Sequence, residues 1–135
     1  MGVIHTKDCQ VSSEQIARYI VGLSWMYHGF FPKLLQIAPL EKIMTASLGF
    51  SNDLSYLITK SAGVGEVVFG LLFIMFYKNR LIVLSNILGL VVLLFFVMFM
   101  QPQLLLGAFN PVTTNIPLIG LSLVLLKSRQ IRQPS

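Results

Sequence analysis

Six side chains on three apolar runs carry most of the chemistry this chain could perform: Trp25, His28 and Lys33 on the first, Glu66 on the second, Asn110 and Asn115 on the last. An imidazole, an ammonium group, a carboxylate and two amides can hydrogen-bond the oxygens of a ligand or pass a proton between them. The Trp25 ring adds a surface on which a flat molecule can stack. Ionisable groups inside apolar runs are costly, so each needs a reason. Spacing favours convergence. Gly63, Glu66 and Gly70 share one helical face, where small residues let a neighbouring helix come close. Trp25, His28 and Pro32 line one stripe, with Gly22 and Gly29 beside it. Pro117 cannot donate to the carbonyl of Thr113, which frees an acceptor near Asn115.

Every one of these residues also has a structural reading. Glu66 can form a buried ion pair with Lys33, or hydrogen-bond His28, and hold the bundle in register. His28 alone reads as a hydrogen-bonded core histidine. Lys33 can snorkel to an interface, Arg18 can anchor one, and Asn110 can cap a helix. Trp25 and the phenylalanines can serve as packing or lipid-facing residues. The functional case lies in the cluster as a whole.

Several chemistries find no support. His5 and His28 are the only histidines and fall on opposite sides of the expected membrane, which disfavours a bis-histidine haem. No His, Cys and carboxylate set has metal-site spacing. There is no nucleophile elbow, phosphate loop or dinucleotide fingerprint. Cys9 is the single cysteine, so dithiol redox chemistry within the chain is disfavoured.

The elements that must position the cluster are transmembrane helices. Of 135 residues, 55% are hydrophobic and only 11% charged. So few charges cannot cover the surface of a water-soluble domain this small. Leu81 to Met100 carries no charge and has the length a bilayer requires, about 20 residues. A second span covers 53–77, with Ser51, Asn52 and Asp53 as its cap. The first covers 13–32, with Ser12 and Gln15 at capping-box spacing and Pro32 at its end. The last covers 110–127, opening on Asn110 and Pro111. Between the first two, Leu40, Ile43, Met44 and Leu48 share one face and Gly49 makes a stop, which predicts a short interfacial helix lying on the bundle. The expected architecture is all-α: an integral membrane four-helix bundle over 13–127, a leader over 1–12 and a basic tail over 128–135. The leader is read as having no cleavable signal peptide.

Charge sets the expected orientation. Lys78 and Arg80 occupy one turn, and Lys127, Arg129 and Arg132 follow the last span, whereas residues 101–110 carry no charge. The positive-inside rule puts that turn and both termini in the cytoplasm. Lys33, Lys42 and Lys60 outnumber Glu41 and Asp53 by one in the first loop, a small opposing contribution. In this frame His28, Lys33, Glu66, Asn110 and Asn115 all lie in the outer leaflet, and Arg18 and Asn86 near the cytoplasm. The net charge of +5 follows from these flanks, not from a nucleic-acid-binding stripe.

The stretch Trp25-Met26-Tyr27-His28-Gly29-Phe30-Phe31-Pro32-Lys33-Leu34 resembles the first-helix motif of the DoxX-like membrane proteins. Gly63-x-x-Glu66-x-x-x-Gly70 and Asn110-Pro111-x-Thr113-x-Asn115 are similar to that family's second and fourth helices. The resemblance runs from about Glu14 to Leu126. It implies a four-helix membrane bundle close to quinone or other redox chemistry, since members are associated with terminal quinol oxidation and thiosulfate:quinone oxidoreductase. With that resemblance, the expectation is no cofactor in this chain beyond a bound quinone, and a lipid bilayer with a separate redox protein or a second copy as partner; no nucleic acid is expected. The expected location is a bacterial inner membrane. The leading expectation is an accessory subunit holding a lipophile, with Trp25 stacking on its ring and His28, Glu66 and Lys33 bonding its oxygens. The alternatives are an assembly scaffold without ligand, and a membrane enzyme acting on a lipid or quinone with Glu66 and His28 as acid and base.

Overall fold

The computed structural model describes residues 12–132; His5 and Cys9 lie outside them. The fold is all-α, with four main helices and one short one. Helix α1 spans Ser13–Gly29 and starts where the Ser12 side chain accepts from the Gln15 backbone N–H at 3.3 Å. Helix α2 spans Pro39–Ala46, α3 Asn52–Phe76, α4 Arg80–Met100 and α5 Pro111–Arg132. Ser51 caps α3 through Leu54 N, and Asn79 caps α4 through Leu81 N. Gly49 follows α2 at φ 75°, a left-handed conformation that glycine adopts without strain.

Pro32 does not end the first helix as its ring chemistry suggests. Beyond Gly29 the chain widens into a π-helical turn, Phe30–Leu35, that runs through the proline. Pro32 has no N–H for the carbonyl four residues back, so the ladder slips to the longer register, with Gln36 N bonding Phe31 O at 3.3 Å. Helix α5 likewise continues past Lys127, because no glycine or proline interrupts 128–132.

Helices α3, α4 and α5 are each long and apolar enough to cross a membrane. Helix α1 adds 17 residues, extended by the six of the π turn. Leu81, Leu88 and Phe99 on α4, and Leu57 and Met75 on α3, stand on the outside of the bundle. Lipid is the solvent that tolerates that surface, and the chain is an integral membrane protein.

Helix α1 lies between α3 and α5, and α4 closes against α5. Lipid tails are as apolar as leucine, so helix association here depends on close packing more than on burial. Two glycines on each of α1 and α3 provide it. A Cβ on Gly29 would fall on the Gly63 carbonyl, and one on Gly63 would lie 2.8 Å from the Gly29 carbonyl. Gly22 and Gly70 meet in the same way further along, so the two helices run antiparallel with their backbones nearly touching. Phe73, Val21 and Val83 fill the core next to this seam.

The short helix α2 between α1 and α3 sets its polar side against the bundle. Thr45 is buried against the bundle, while Ile43 and Leu48 are exposed. The neighbour it packs on is α3, and the polar face meets the polar end of the seam. The apolar face looks outward, which suits a lipid surround.

Candidate functional site

The α1–α3 seam ends in an ionic cluster. The close approach at Gly29 and Gly63 brings the π turn against α3, so that a Cβ on Gly63 would lie 2.8 Å from Lys33 Cβ. Lys33 Nζ donates to Glu66 Oε1, a bond between the two helices. The same ammonium lies 3.7 Å from Glu41 Oε1 on α2. The three side chains are 12%, 13% and 19% exposed for Lys33, Glu66 and Glu41. Two carboxylates therefore share one cation. Burial, the largest influence, pushes the Glu41 carboxyl above its ordinary value. Lys33 opposes that rise and the Glu66 charge adds to it.

Glu66 is only half satisfied. Its Oε2 is buried and has no hydrogen-bond partner among the described residues. Buried carboxylate oxygens almost always accept a bond, because leaving water without one is costly. The oxygen is thus chemically suited to accept from the hydroxyl of a bound molecule. Nearby, Lys60 Nζ donates to Leu34 O, tying α3 to the carbonyl end of the π turn.

His28 is exposed on the outer side of this end, edge-on to Tyr27 at 6.1 Å, and the charges of both Glu66 and Lys33 act on it. The remaining candidates lie elsewhere. The Trp25 indole N–H donates to Asn86 Oδ1 at 2.5 Å, and the ring meets Phe69 edge-on at 5.1 Å. Asn86 Nδ2 in turn donates to Ser122 Oγ at 2.6 Å, which donates to Leu118 O at 2.8 Å. This relay joins α1, α4 and α5 through two fully buried side chains, Asn86 and Ser122. Asn110 caps α5: its Oδ1 accepts from Val112 N and Thr113 N at 2.9 and 3.1 Å, and its Nδ2 donates to Gly107 O. Asn115 is buried and reaches Leu90 O at 3.4 Å. Among the described residues no hydrogen bond links Asn110, Asn115 or Trp25 to Lys33 or Glu66.

The structure thus brings Lys33 and Glu66 together and spreads the other four candidates around them. It adds Glu41, which sequence reasoning counted only as a loop charge. The signal for it is the four-residue spacing of Glu41 and Thr45, which places both on the face opposite Ile43. Among the described residues no three His, Cys, Asp or Glu side chains group closely enough to hold a metal ion.

Neither a curated protein nor a solved structure matches this chain. A protein-family model does, over residues 22–123, a stretch that opens inside α1, closes inside α5 and takes in Lys33, Glu41, Glu66 and the whole glycine seam. The chain belongs to the DoxX-like family.

Proposed function

We propose that this protein is an accessory membrane subunit that holds a lipophilic molecule bearing a hydroxyl, a quinol, against Glu66 at the end of the α1–α3 seam. The observation that carries the proposal is the buried, unpartnered Oε2 of Glu66. A hydroxyl donor meets that acceptor, while Lys33 donates to the other carboxylate oxygen, Oε1. In the oxidised ligand, the Lys33 ammonium has further hydrogens for a carbonyl oxygen. A quinone, when bound, supplies the two-electron chemistry that none of the described side chains offers. The chain's own part is to bind, to orient and to keep water out through the glycine contact at Gly29 and Gly63. His28 stands beside this end of the seam, edge-on to Tyr27, where its ring nitrogens can hydrogen-bond a ligand oxygen. Electrons come from a separate redox protein. The cluster faces outward, and both termini face the cytoplasm of a bacterial inner membrane, an orientation supported by Lys78, Arg80, Lys127 and Arg129.

A second reading is supported by how completely the other polar groups bond to one another. Trp25, Asn86, Ser122 and Asn110 all have partners within the chain. That pattern suits an assembly scaffold without ligand.

Titration calorimetry with a short-chain benzoquinol separates the two. Glu66→Gln turns its carbonyl oxygen to Lys33 and sets an NH2 donor where Oε2 accepts, so binding should weaken about tenfold or more. Equal isotherms for wild type and variant would leave the scaffold reading.

A further inference from the structure

The opposite end of the bundle holds a different kind of site. A cavity of about 580 Å³ opens there between the α3–α4 turn, the start of α1 and the last turns of α5. Among the described residues that line it, Lys78, Arg80 and Arg129 are three cations to the one carboxylate of Glu14. The rest of its wall is Leu125, Leu126 and Tyr77, with the amide of Gln130 beside Arg129.

The aromatic wall is fixed in place. Tyr77 is buried, and its hydroxyl accepts from Gln15 Nε2 at 3.2 Å. Arg18 lies over the Tyr77 ring at 4.5 Å while its Nε donates to Ile74 O at 2.7 Å and its Nη1 to Gln15 Oε1 at 3.1 Å. Arg18 is thereby committed to the bundle. Lys78, 5.8 Å from the Tyr77 ring centre, and the two arginines are the cations that line the cavity among the described residues. A net positive rim on an apolar wall, at the water end of membrane-spanning helices, matches an amphiphile whose head is anionic and whose tail is hydrocarbon.

We infer that this cavity binds the phosphate head of an acidic phospholipid, with Arg80 and Arg129 on the phosphate and the acyl chain along Leu125 and Leu126. Arginine suits the role because its planar fork meets two phosphate oxygens at once. The site is independent of Glu66 and of any quinol held there.

The test uses the full chain in vesicles of equal parts phosphatidylglycerol and phosphatidylcholine. After gentle extraction, native mass spectrometry counts which lipid stays bound. Wild type should retain phosphatidylglycerol in preference, and the preference should drop about fivefold for each cation removed in Arg80→Gln and Arg129→Gln. Lys78→Gln, at an exposed position in the turn, should act in the same direction, which guards against loss of fold in the arginine variants. Lys42→Gln, on α2 at the other end of the bundle, should leave the preference unchanged. Three results would each overturn the inference: retention indifferent to head-group charge, no change in any of the three lining variants, or displacement of the lipid by inorganic phosphate that itself stays bound.

Discussion

Trp25 and Asn86 lie 61 residues apart in sequence, yet the indole N–H of one donates to the side-chain oxygen of the other at 2.5 Å. The bond crosses from α1 to α4, and Asn86 passes the connection to Ser122 on α5. An aromatic residue that looks suited to stacking on a ligand is thus engaged, at its polar edge, in holding three helices in rotational register.

Removing Asn86 leaves one buried donor, the Trp25 N–H, without a partner, because Ser122 still bonds Leu118 O. Asn86→Leu should cost about 1–2 kcal/mol. Combining it with Trp25→Phe should cost less than the sum of the two single changes, by about 1 kcal/mol, since the stranded donor is gone. Reversible unfolding in mixed micelles measures both terms; strict additivity would mean the bond carries no coupling.

The glycine seam predicts a sharp contrast between two neighbours on α3. A Cβ on Gly63 meets the Gly29 carbonyl at 2.8 Å, whereas one on Gly65 meets nothing within 4 Å among the described residues. Gly63→Ala should therefore destabilise by about 1–3 kcal/mol through forced separation of the helices. Gly65→Ala should be neutral or stabilising by up to about 1 kcal/mol through helix propensity. Thermal unfolding of the two variants side by side checks the prediction.

The helix starts and the ion pair were legible in the sequence, and the reasons are local. Ser12, Ser51 and Asn110 are capping residues at the right distance from apolar runs, and the seven-residue spacing of Gly22 with Gly29 and Gly63 with Gly70 marks faces built for contact. Glu66 on such a face, with Lys33 at the end of the other helix, reads as a pair. The role of Glu41 was not legible, because the rotation of α2 is set by what it packs on: its polar face meets Lys33 while Ile43 looks out to lipid. Nor was the Trp25–Asn86 bond. Helix α4 is apolar on every side, so hydrophobic pattern cannot fix which way Asn86 points.

Asn110 should behave as a cap and not as a ligand contact. Its Oδ1 accepts from two backbone N–H groups at the start of α5. Asn110→Ala should lower stability by about 1 kcal/mol, while benzoquinol affinity stays at the wild-type value. A lost affinity at unchanged stability would instead bring Asn110 into the binding site.

Glu41 should give the protein a pH signature on the acid side. Burial raises its folded-state pKa above the ordinary value of 4.5. A carboxyl so shifted favours the folded state when protonated, so its contribution is full below the ordinary value and fades as pH rises through the raised one. Wild type should therefore gain stability relative to Glu41→Gln as pH falls through that window. Parallel melting curves from neutral to acid pH would show it; curves that keep a constant separation would contradict it.

The most direct measurement on Glu66 is native mass spectrometry of the gently purified protein, with extraction and identification of every small molecule that stays bound. The account predicts one stoichiometric lipophile with a hydroxyl or quinone head in wild type, distinct from membrane phospholipid, and its loss in a folded Glu66→Gln protein. Wild type carrying only phospholipid, or carrying the same lipophile undiminished in Glu66→Gln, would contradict it.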